Sequence, residues 1–317
     1  MLSRIAGALL TLSVLAPWSG AFAAYPDKPI HIVVAFTPGS GNDRVARIMA
    51  EEMRKELDVQ IVVENRPGAA GAIGTRFVLQ APADGYTLLM TSSATHSANP
   101  WLIRNLPYDP VKDFAHITNL ITTPLMLVVP HGTARTLQEF VEKSRKAQLT
   151  FGYGSSTSQV FASAFSNIAG LKTTPIAYKS QPPALTDLSS GIVQFMFADA
   201  AALEPFIKGN RLTALATTAE VRSPQFPDVP TLTELGYKDF DLTVWVGIGA
   251  AANTPREVVG KLSDRLTKIL ARDEVRQRFA AIGMDTAPNG AVRQSEFVVN
   301  QLDIWKRRIQ EAGLKPE

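Results

Sequence analysis

Hydrophobic and polar positions occur along the chain in blocks that predict a strand, a turn and a helix in that order. Residues 30–36 are a β-branched apolar run typical of a buried strand, and a Gly-rich turn and an amphipathic helix over residues 43–57 follow it. Two more strands, at 60–65 and 87–91, flank a second helical segment. This alternation predicts a parallel sheet covered by helices.

A second α/β unit begins at the Pro-bounded apolar strand of residues 124–130. Strands and helices alternate from there to residue 217, and residues 242–250 form one more apolar strand, which we interpret as the return crossing. Helices are predicted over the C-terminal part. If they pack on the first unit, the chain crosses twice between two lobes, and the crossing strands form a hinge beside a central cleft. We expect residues 25–124 and 243–317 in the first lobe and 125–242 in the second.

The N-terminus has the pattern of a secretory signal peptide, which we assign to residues 1–24. Arg4 supplies the positive charge, residues 5–15 the apolar run, and Ala21-Phe22-Ala23 a cleavage site, with cleavage expected after Ala23. The apolar run is too short to span a membrane, and no second run of about 18 apolar residues follows it. We therefore expect a periplasmic or extracellular protein that does not span the membrane.

Composition narrows the function classes. Hydrophobic residues make up 45% of the chain and charged residues 19%, as in ordinary globular proteins. The 32 basic and 29 acidic residues are not clustered, which argues against a nucleic-acid partner. Cysteine is absent, which excludes disulfides, thiolate nucleophiles and cysteine-ligated metals. The four histidines lie in separate segments, so neither a metal site nor any other cofactor is expected.

Several turns rich in Gly, Ser and Thr directly follow predicted strands, at residues 37–43, 92–96, 154–158 and 178–183. In open α/β sheets, ligands bind outside the carboxyl ends of the strands, where helix N-termini present unpaired N–H donors and partial positive charge. The same residue types are also needed simply to cap helices. The recurrence of these turns favours a binding site for an anion.

Individual polar residues near these turns leave alternatives open. His96 is either a hydrogen-bond donor in the cleft or a structural histidine. Lys179 either pairs with a carboxylate, forms a Schiff base or is a solvated loop residue. Asp199 either caps the following helix or lines the cleft. We assign Trp245 to hinge packing rather than to ligand stacking.

Signatures of common enzyme classes are absent from the sequence. It contains no G-x-S-x-G nucleophile elbow, no P-loop lysine and no H-E-x-x-H motif. The sequence Gly39-Ser40-Gly41 is not a dinucleotide-binding motif, because position 44 is Arg. Binding without catalysis is the simpler interpretation.

Short sequence blocks distributed over the chain resemble Bug-type solute-binding proteins of the tripartite tricarboxylate transporter family. The blocks are YPDKPI (25–30), FTPGSGND (36–43), ENRPGAAG (64–71), DGYTLL (84–89), LPYDP (106–110), YKS (178–180), PALTDL (183–188), RSP (222–224), PDVPT (227–231) and ANTP (252–255).

This resemblance implies a two-lobed α/β fold like that of type II periplasmic binding proteins, with a ligand cleft and two hinge strands. It also implies that the protein holds a carboxylate with loop N–H groups, hydroxyls and water, in the turns at 37–43 and 155–157. The chain departs from the family pattern at Ser40 and Asn42, at Val160, where a His is frequent, and at Ser180, where Gly is usual. We therefore expect a specificity different from that of better-known relatives.

We expect a periplasmic receptor for a small organic carboxylate, dicarboxylic or aromatic, that acts as a monomer and delivers its ligand to membrane transporter subunits. The rival hypotheses are an exported enzyme using Lys179, His96 and Asp199 in acid/base roles, and a sensor subunit of a signalling system. The predicted ligand-binding residues are Phe36, Thr37, Gly39, Ser40, Gly41, Asn42, Asp43, Ser93, Thr95, His96, Ser155, Ser156, Thr157, Tyr178, Lys179 and Asp199.

Overall fold

The computed structural model describes residues 25–237, 242 and 244–316, so the predicted signal peptide lies outside the described residues. The strands are β1 (Ile30–Val34), β2 (Ile61–Asn65), β3 (Thr87–Ser92), β4 (Phe114–Thr123), β5 (Leu125–Pro130), β6 (Gln148–Tyr153), β7 (Lys172–Ala177), β8 (Met196–Asp199), β9 (Leu212–Thr217), β10 (Val244–Ala251) and β11 (Asp285–Thr286).

Helices follow most of these strands. They are α1 (Gly41–Leu57), α2 (Ala72–Gln80), α3 (Asn99–Leu102), α4 (Leu137–Ser144), α5 (Ser156–Ala169), α6 (Gln181–Ser189), α7 (Ala200–Lys208), α8 (Arg256–Ala271), α9 (Asp273–Ala280) and α10 (Gly290–Glu311), with a π-helical turn at Ala94–Ala98 and a 3₁₀ turn at Ala69–Gly71. Among the described residues, no helix is both long and apolar enough to cross a bilayer.

Two groups of strands form the two lobes. The first lobe contains a six-stranded sheet in the order β11-β4-β10-β3-β1-β2. The second contains the sheet β8-β5-β9 and the parallel pair β6-β7. Main-chain hydrogen bonds join β6 to the chain just before β8, from Gly152 to Phe195 (3.2 Å) and from Gln194 to Thr150 (2.9 Å). The fold is therefore α/β with two lobes.

The first sheet is mixed, whereas the sequence predicted a parallel one. Strands β1, β2 and β3 are indeed parallel, but β10 runs antiparallel to both β3 and β4. The alternation of strands and helices along the sequence predicts the direction only of those strands that a helix joins to each other. Strand β10 enters the sheet after the chain has passed through the second lobe, so its direction was not predictable from that alternation.

Strand β4, which lies between β10 and β11 in the sheet, was not predicted from the sequence. This strand is almost entirely buried, yet it carries polar side chains, including His116, Thr118 and Asn119. Those residues interrupt the apolar run by which buried strands are recognised. Strand β4 is also the outgoing crossing, because only Pro124 separates it from β5 in the second lobe.

The C-terminal helix α10 packs against both lobes. Helices α8 and α9 pack on the first-lobe core through residues such as Leu266 and Phe279. Trp305 and Ile309 near the end of α10 instead join a core cluster with Phe161 and Phe195 of the second lobe. The predicted domain boundaries remain a proposal, and α10 adds a third connection between the lobes beside the two crossing strands.

Candidate functional site

A cavity of about 80 Å³ lies between the lobes. One water molecule needs roughly 10–15 Å³ of such volume, so the cavity has room for several waters or for a small organic molecule. The cavity is lined by Phe36, Ser40, Gly41, Asn42, Ser92, Ser93, Ala94, Thr123, Leu125, Gly154, Ser155, Thr157, Ser158, Ser180, Gln181, Asp199, Val244, Trp245, Val246 and Met284.

The N-termini of four helices, α1, α5, α6 and α7, border this cavity. The hydroxyl of Ser40 caps α1 by accepting from the N–H of Asp43 (3.3 Å), and Ser155 caps α5 by accepting from Ser158 (3.3 Å). Asp199 caps α7 through the N–H of Ala202 (3.0 Å). Each terminus brings partial positive charge to the wall, so together they favour a negative ligand.

Main-chain donors at two of these termini are left unused. The N–H groups of Gly41 and Asn42 in α1, and of Ser156 and Thr157 in α5, have no acceptor among the residues described here. One pair belongs to each lobe. Unpaired N–H groups at helix starts are suited to an anion, and an anion held by both pairs would connect the lobes.

Within the described part of the chain, the lining includes no Lys, Arg or His, and Asp199 is its one ionisable residue. Its oxygens lie next to α1, since a Cβ built on Gly41 would be 3.0 Å from Oδ2. Asp199 is 8% exposed, and burial raises the pKa of its carboxyl group, although the Ala202 N–H and the charge of Arg44 oppose that rise. Asp199 thus both caps α7 and lines the cavity, which were the alternatives left open by the sequence.

Polar contacts cross the cleft around the cavity. The hydroxyl of Thr37 bonds that of Ser180, and the Ser93 and Thr157 hydroxyls are 3.1 Å apart. The Ser156 hydroxyl of α5 likewise donates to Oδ1 of Asn99 in the first lobe. These contacts join the turns of the first lobe to the starts of α5 and α6, so the lobes are closed over the cavity.

The crossing strands form the remaining wall. Trp245 and Val246 of β10 line the cavity, and the Trp245 indole N–H is directed to the Ser97 hydroxyl (3.3 Å). The pairing of β10 with β4 is irregular next to these residues, with register shifts at Val246/Gly247 and Ile248/Gly249. Trp245 is fully buried. It is therefore part of the hinge packing and of the cavity wall at once.

The structure brings half of the predicted site residues into the cavity and places the others around it. Those in the lining are Phe36, Ser40, Gly41, Asn42, Ser93, Ser155, Thr157 and Asp199. Thr37, Gly39, Asp43, Thr95, His96, Ser156, Tyr178 and Lys179 lie outside the lining, and Thr37 and Ser156 make the cleft contacts described above.

Asp43 and Gly39 hold the shape of the first turn. The Asp43 carboxylate accepts from the N–H of Gly39 (2.9 Å), from Arg47 (3.0 Å) and from Asn65 (2.9 Å). Burial alone would raise the pKa of this carboxyl group, but these hydrogen bonds outweigh it and lower the pKa. Gly39 has a φ of +81°, which favours glycine. Both residues therefore position Ser40, Gly41 and Asn42.

His96 is a buried structural residue in this structure. It has no exposed surface, packs edge-to-face on Phe114 (4.7 Å between ring centroids) and lies 2.9 Å from the Thr95 hydroxyl through Nδ1. Burial, with His116 nearby, lowers the pKa of His96 well below its usual value. His96 has no access to the cavity in this structure, which agrees with the structural alternative and not with the donor in the cleft.

Tyr178 and Lys179 line a second groove, of about 400 Å³, together with Gln159 and Lys315. Gly154 and Ser155 border both spaces, so the groove adjoins the cavity. The Tyr178 hydroxyl donates to Asp187 (2.8 Å), and Lys179 is exposed. Lys179, His96 and Asp199 therefore lie in three different environments, and the structure does not bring them together as an acid/base set.

Several residues that line the cavity were not among the ligand-binding residues predicted from the sequence. Gly154, Ser158 and Ser180 lie in turns that were predicted as binding loops, so their position in sequence was a usable signal. Thr123 and Leu125 sit at the β4–β5 crossing, which was not predicted because β4 was missed. Val160, at the position where a family histidine is frequent, packs in the second-lobe core. Among the described residues, no cluster of three or more His, Asp or Glu is arranged to hold a metal ion.

Comparison with known proteins identifies the family. The profile of the tripartite tricarboxylate transporter family receptor (TctC) matches residues 45–314. The structure is similar to that of the periplasmic binding protein BugD, with 30% identity and a TM-score of 0.87 over 92% of this chain and all of that one.

Two further solved structures contain bound acids. Rpa4515 of R. palustris, solved with adipate, is 26% identical with a TM-score of 0.89, over 92% of this chain and 100% of that one. MatC of Rhodopseudomonas palustris, with bound malate, is 27% identical with a TM-score of 0.84, over 90% and 100%. The chain thus has the two-lobed periplasmic-binding-protein fold and belongs to the tripartite tricarboxylate transporter receptor family.

Proposed function

We propose that the protein is a periplasmic receptor that binds a small organic carboxylate in the cavity between its lobes and presents it to a membrane transporter. The single observation that supports this most strongly is that Gly41 and Asn42 of α1 and Thr157 of α5, whose N–H groups have no acceptor among the described residues, line one cavity, with the free N–H of Ser156 next to Thr157. A carboxylate has two oxygens with several acceptor positions, so it suits two pairs of donors.

Helix termini can provide the affinity without a cationic side chain. Each terminus contributes roughly 0.3–1 kcal/mol, and up to about 2 kcal/mol where it is partly buried. Charge-assisted hydrogen bonds from amides and hydroxyls add to this. Micromolar binding corresponds to roughly 8 kcal/mol, which several termini and donors together can approach.

The relatives support a carboxylate as the ligand, since Rpa4515 was solved with adipate and MatC with malate, both of which are dicarboxylic acids. A dicarboxylate or an aromatic carboxylate remains our proposal for this chain. The apolar part of the ligand would contact Phe36, Val246 and Met284, which also line the cavity. Bound ligand would stabilise the closed form, because it would contact both lobes at once.

We propose receptor function rather than catalysis because the candidate acid/base residues are not assembled. The sensor hypothesis differs from the transport hypothesis only in the partner that recognises the closed form. A pull-down of membrane proteins by the ligand-loaded and ligand-free protein distinguishes the two. Transporter subunits retained only with ligand support transport, whereas a signalling protein retained instead contradicts it.

The test is a thermal-unfolding panel on protein that has been unfolded and refolded to remove co-purified ligand. Adipate, malate, succinate and benzoate are compared with adipamide, neutral sugars and simple amines. A carboxylate present at 100 times its dissociation constant adds about 2.7 kcal/mol of stability. Stabilisation by sugars or amines, with none by any acid, contradicts the proposal.

A variant pair locates the site. Asn42→Asp adds a negative charge in the first turn of α1 without changing size, which suits a helix start but repels a carboxylate. It should abolish the thermal shift. Asn300→Asp adds the same charge at an exposed position of α10, away from the cavity, and should leave the shift unchanged. An unchanged shift in Asn42→Asp would place the anion elsewhere.

A further inference from the structure

Asp199 is an acidic residue in a cavity wall that is otherwise suited to anions. It is the one ionisable lining residue in the described part of the chain, and it is nine-tenths buried. Its role as the cap of α7 does not explain it, because Ser40 and Ser155 cap neighbouring helices with neutral hydroxyls. A buried carboxylate is costly unless hydrogen-bond donors surround it.

The position of Asp199 relates it directly to the expected ligand. Its Oδ2 and Oδ1 would be 3.0 and 3.6 Å from a Cβ on Gly41, and the free N–H donors of α1 begin at Gly41. A carboxylate bound to those donors therefore lies beside Asp199. Two carboxylates repel each other at such a distance, and the repulsion is strong in a site shielded from water.

Among the residues that the structure describes, no basic side chain relieves this repulsion by direct contact. Arg44 acts on Asp199 through its charge, and the hydrogen bonds of the Asp199 carboxylate come from the Ala202 N–H, from its own main-chain N–H and from the Gln181 side chain. A donor group on the ligand, between its own carboxylate and Asp199, would replace repulsion by a charge-assisted hydrogen bond.

We propose that Asp199 determines the specificity of the site by accepting a hydrogen bond from a hydroxyl or ammonium group on the carbon next to the ligand carboxylate. This inference rests on the receptor function proposed above. It predicts a preference for 2-hydroxy or 2-amino acids over unsubstituted acids of the same length.

The test is isothermal titration of the refolded protein with two matched series. One series is propanoate, 2-hydroxypropanoate and 2-aminopropanoate, and the other is butanedioate with its 2-hydroxy and 2-amino forms. In each series we expect a donor-bearing member to bind about tenfold to a hundredfold more tightly than the unsubstituted acid. Whichever of the hydroxy and amino arms binds more tightly identifies the donor.

Asp199→Asn should bring the affinity ratio, that of the donor-bearing acid to that of the unsubstituted acid, close to one, mainly by strengthening binding of the unsubstituted acid. Asn and Ser also cap helices, so Asp199→Asn and Asp199→Ser preserve the start of α7, and thermal unfolding verifies this. The matched control is Glu204→Gln, which removes a charge from the same helix, also near Arg44, but outside the lining. It should keep the wild-type ratio.

The outcomes separate this inference from the receptor function. Acids that bind with a ratio near one in the wild type, or with an unchanged ratio in Asp199→Asn, overturn the role of Asp199 and leave the receptor proposal standing. Failure of every acid in both series and in the panel above to bind overturns the two proposals together.

Discussion

The two ends of helix α1 handle charge in opposite ways. In its C-terminal half, Glu52 and Glu56 form ion pairs with arginines of α8 and α9 and with Arg272 between these two helices. Arg278 lies 2.6 Å from Glu52, and Arg265 lies 2.9 Å from Glu56. At its N-terminus, the cavity has free N–H groups and no cationic side chain among the described lining residues.

This difference indicates what each end is for. Fixed ion pairs tie α1 to its neighbours and leave no charge available to a ligand. Unpaired amides leave their hydrogen-bonding capacity open to a ligand that comes and goes, and they require no counter-ion when the site is empty. The C-terminal half of α1 is therefore expected to govern the stability of the fold, and the cavity wall at its N-terminus to govern ligand binding.

The largest expected effect comes from breaking the cavity wall at Gly154. A Cβ there would lie 2.1 Å from the Ser180 carbonyl carbon and 2.2 Å from the Gln181 nitrogen, so the starts of α5 and α6 must separate. Gly154→Ala should lower the free energy of unfolding by about 3 kcal/mol and abolish carboxylate binding.

Chemical denaturation and titration calorimetry measure these two effects. The control is Gly260→Ala in α8, where an added Cβ meets nothing within 4 Å. It should be neutral, or stabilising by up to about 1 kcal/mol, because alanine favours a helix. Equal destabilisation by Gly154→Ala and Gly260→Ala would contradict the claim that the cavity wall depends on the close approach of Gly154 to the start of α6.

Glu52→Gln tests the C-terminal half of α1. Glu52 is 2% exposed and bonds Lys55 (2.7 Å) and Arg278 (2.6 Å). Losing these charge-assisted bonds should lower stability by roughly 1.5–3 kcal/mol, with no change in ligand affinity. A weakened affinity without lost stability would reverse the division of roles between the two ends.

Helix caps give a smaller and closely matched comparison. Ser155 caps α5 at the cavity, and Thr136 caps α4 on the outside by accepting from Glu139 (3.1 Å). Replacing either residue by Ala should lower stability by about 1 kcal/mol. Only Ser155→Ala should also weaken carboxylate binding in titration calorimetry, and equal effects on binding would contradict the account.

The smallest effects concern pH. Burial raises the pKa of Asp199, so its ionisation destabilises the folded protein above that pKa, and the penalty disappears as the pH falls. For Glu52, burial alone would raise the pKa, but Lys55 and Arg278 outweigh it and lower the pKa, so its contribution is present near neutral pH and is lost as the pH falls through the lowered pKa.

Denaturant titrations between pH 3 and pH 8 should therefore show opposite signs for the two variants. Asp199→Asn should stabilise the ligand-free protein at neutral pH, and Glu52→Gln should destabilise it, with both differences shrinking in acid. Arg44, whose charge acts on Asp199, and Glu204 of the same helix as Asp199 are present in both variants. The same sign for both would contradict the assignment of the two carboxylates.

Residues at helix starts were predictable from sequence because capping follows local chemistry. The runs 37–43 and 154–158 carry the Gly and Ser pattern of strand-to-helix turns, and the structure places both beside the cavity. The lobes were predictable because two sets of alternating elements are separated by Pro124 and by a returning apolar strand.

The rest depends on contacts between distant segments. The polar strand β4 is buried because β10 and β11 pair with its edges and helices α8 and α10 pack against it, which its own sequence does not show. His96 follows a polar turn like a ligand residue, but the rings of Phe114 and Trp245 enclose it. The adjacency of Asp199 and Gly41 arises only when the lobes meet.

A crystal structure with the acid that gives the largest thermal shift in the panel tests the central claim most directly. We predict one carboxylate within hydrogen-bonding distance of the N–H groups of Gly41 or Asn42 and of Ser156 or Thr157, with no Lys or Arg side chain in contact. A carboxylate held instead by Lys179 or Lys315 in the adjoining groove, with the cavity amides facing water, would contradict the account.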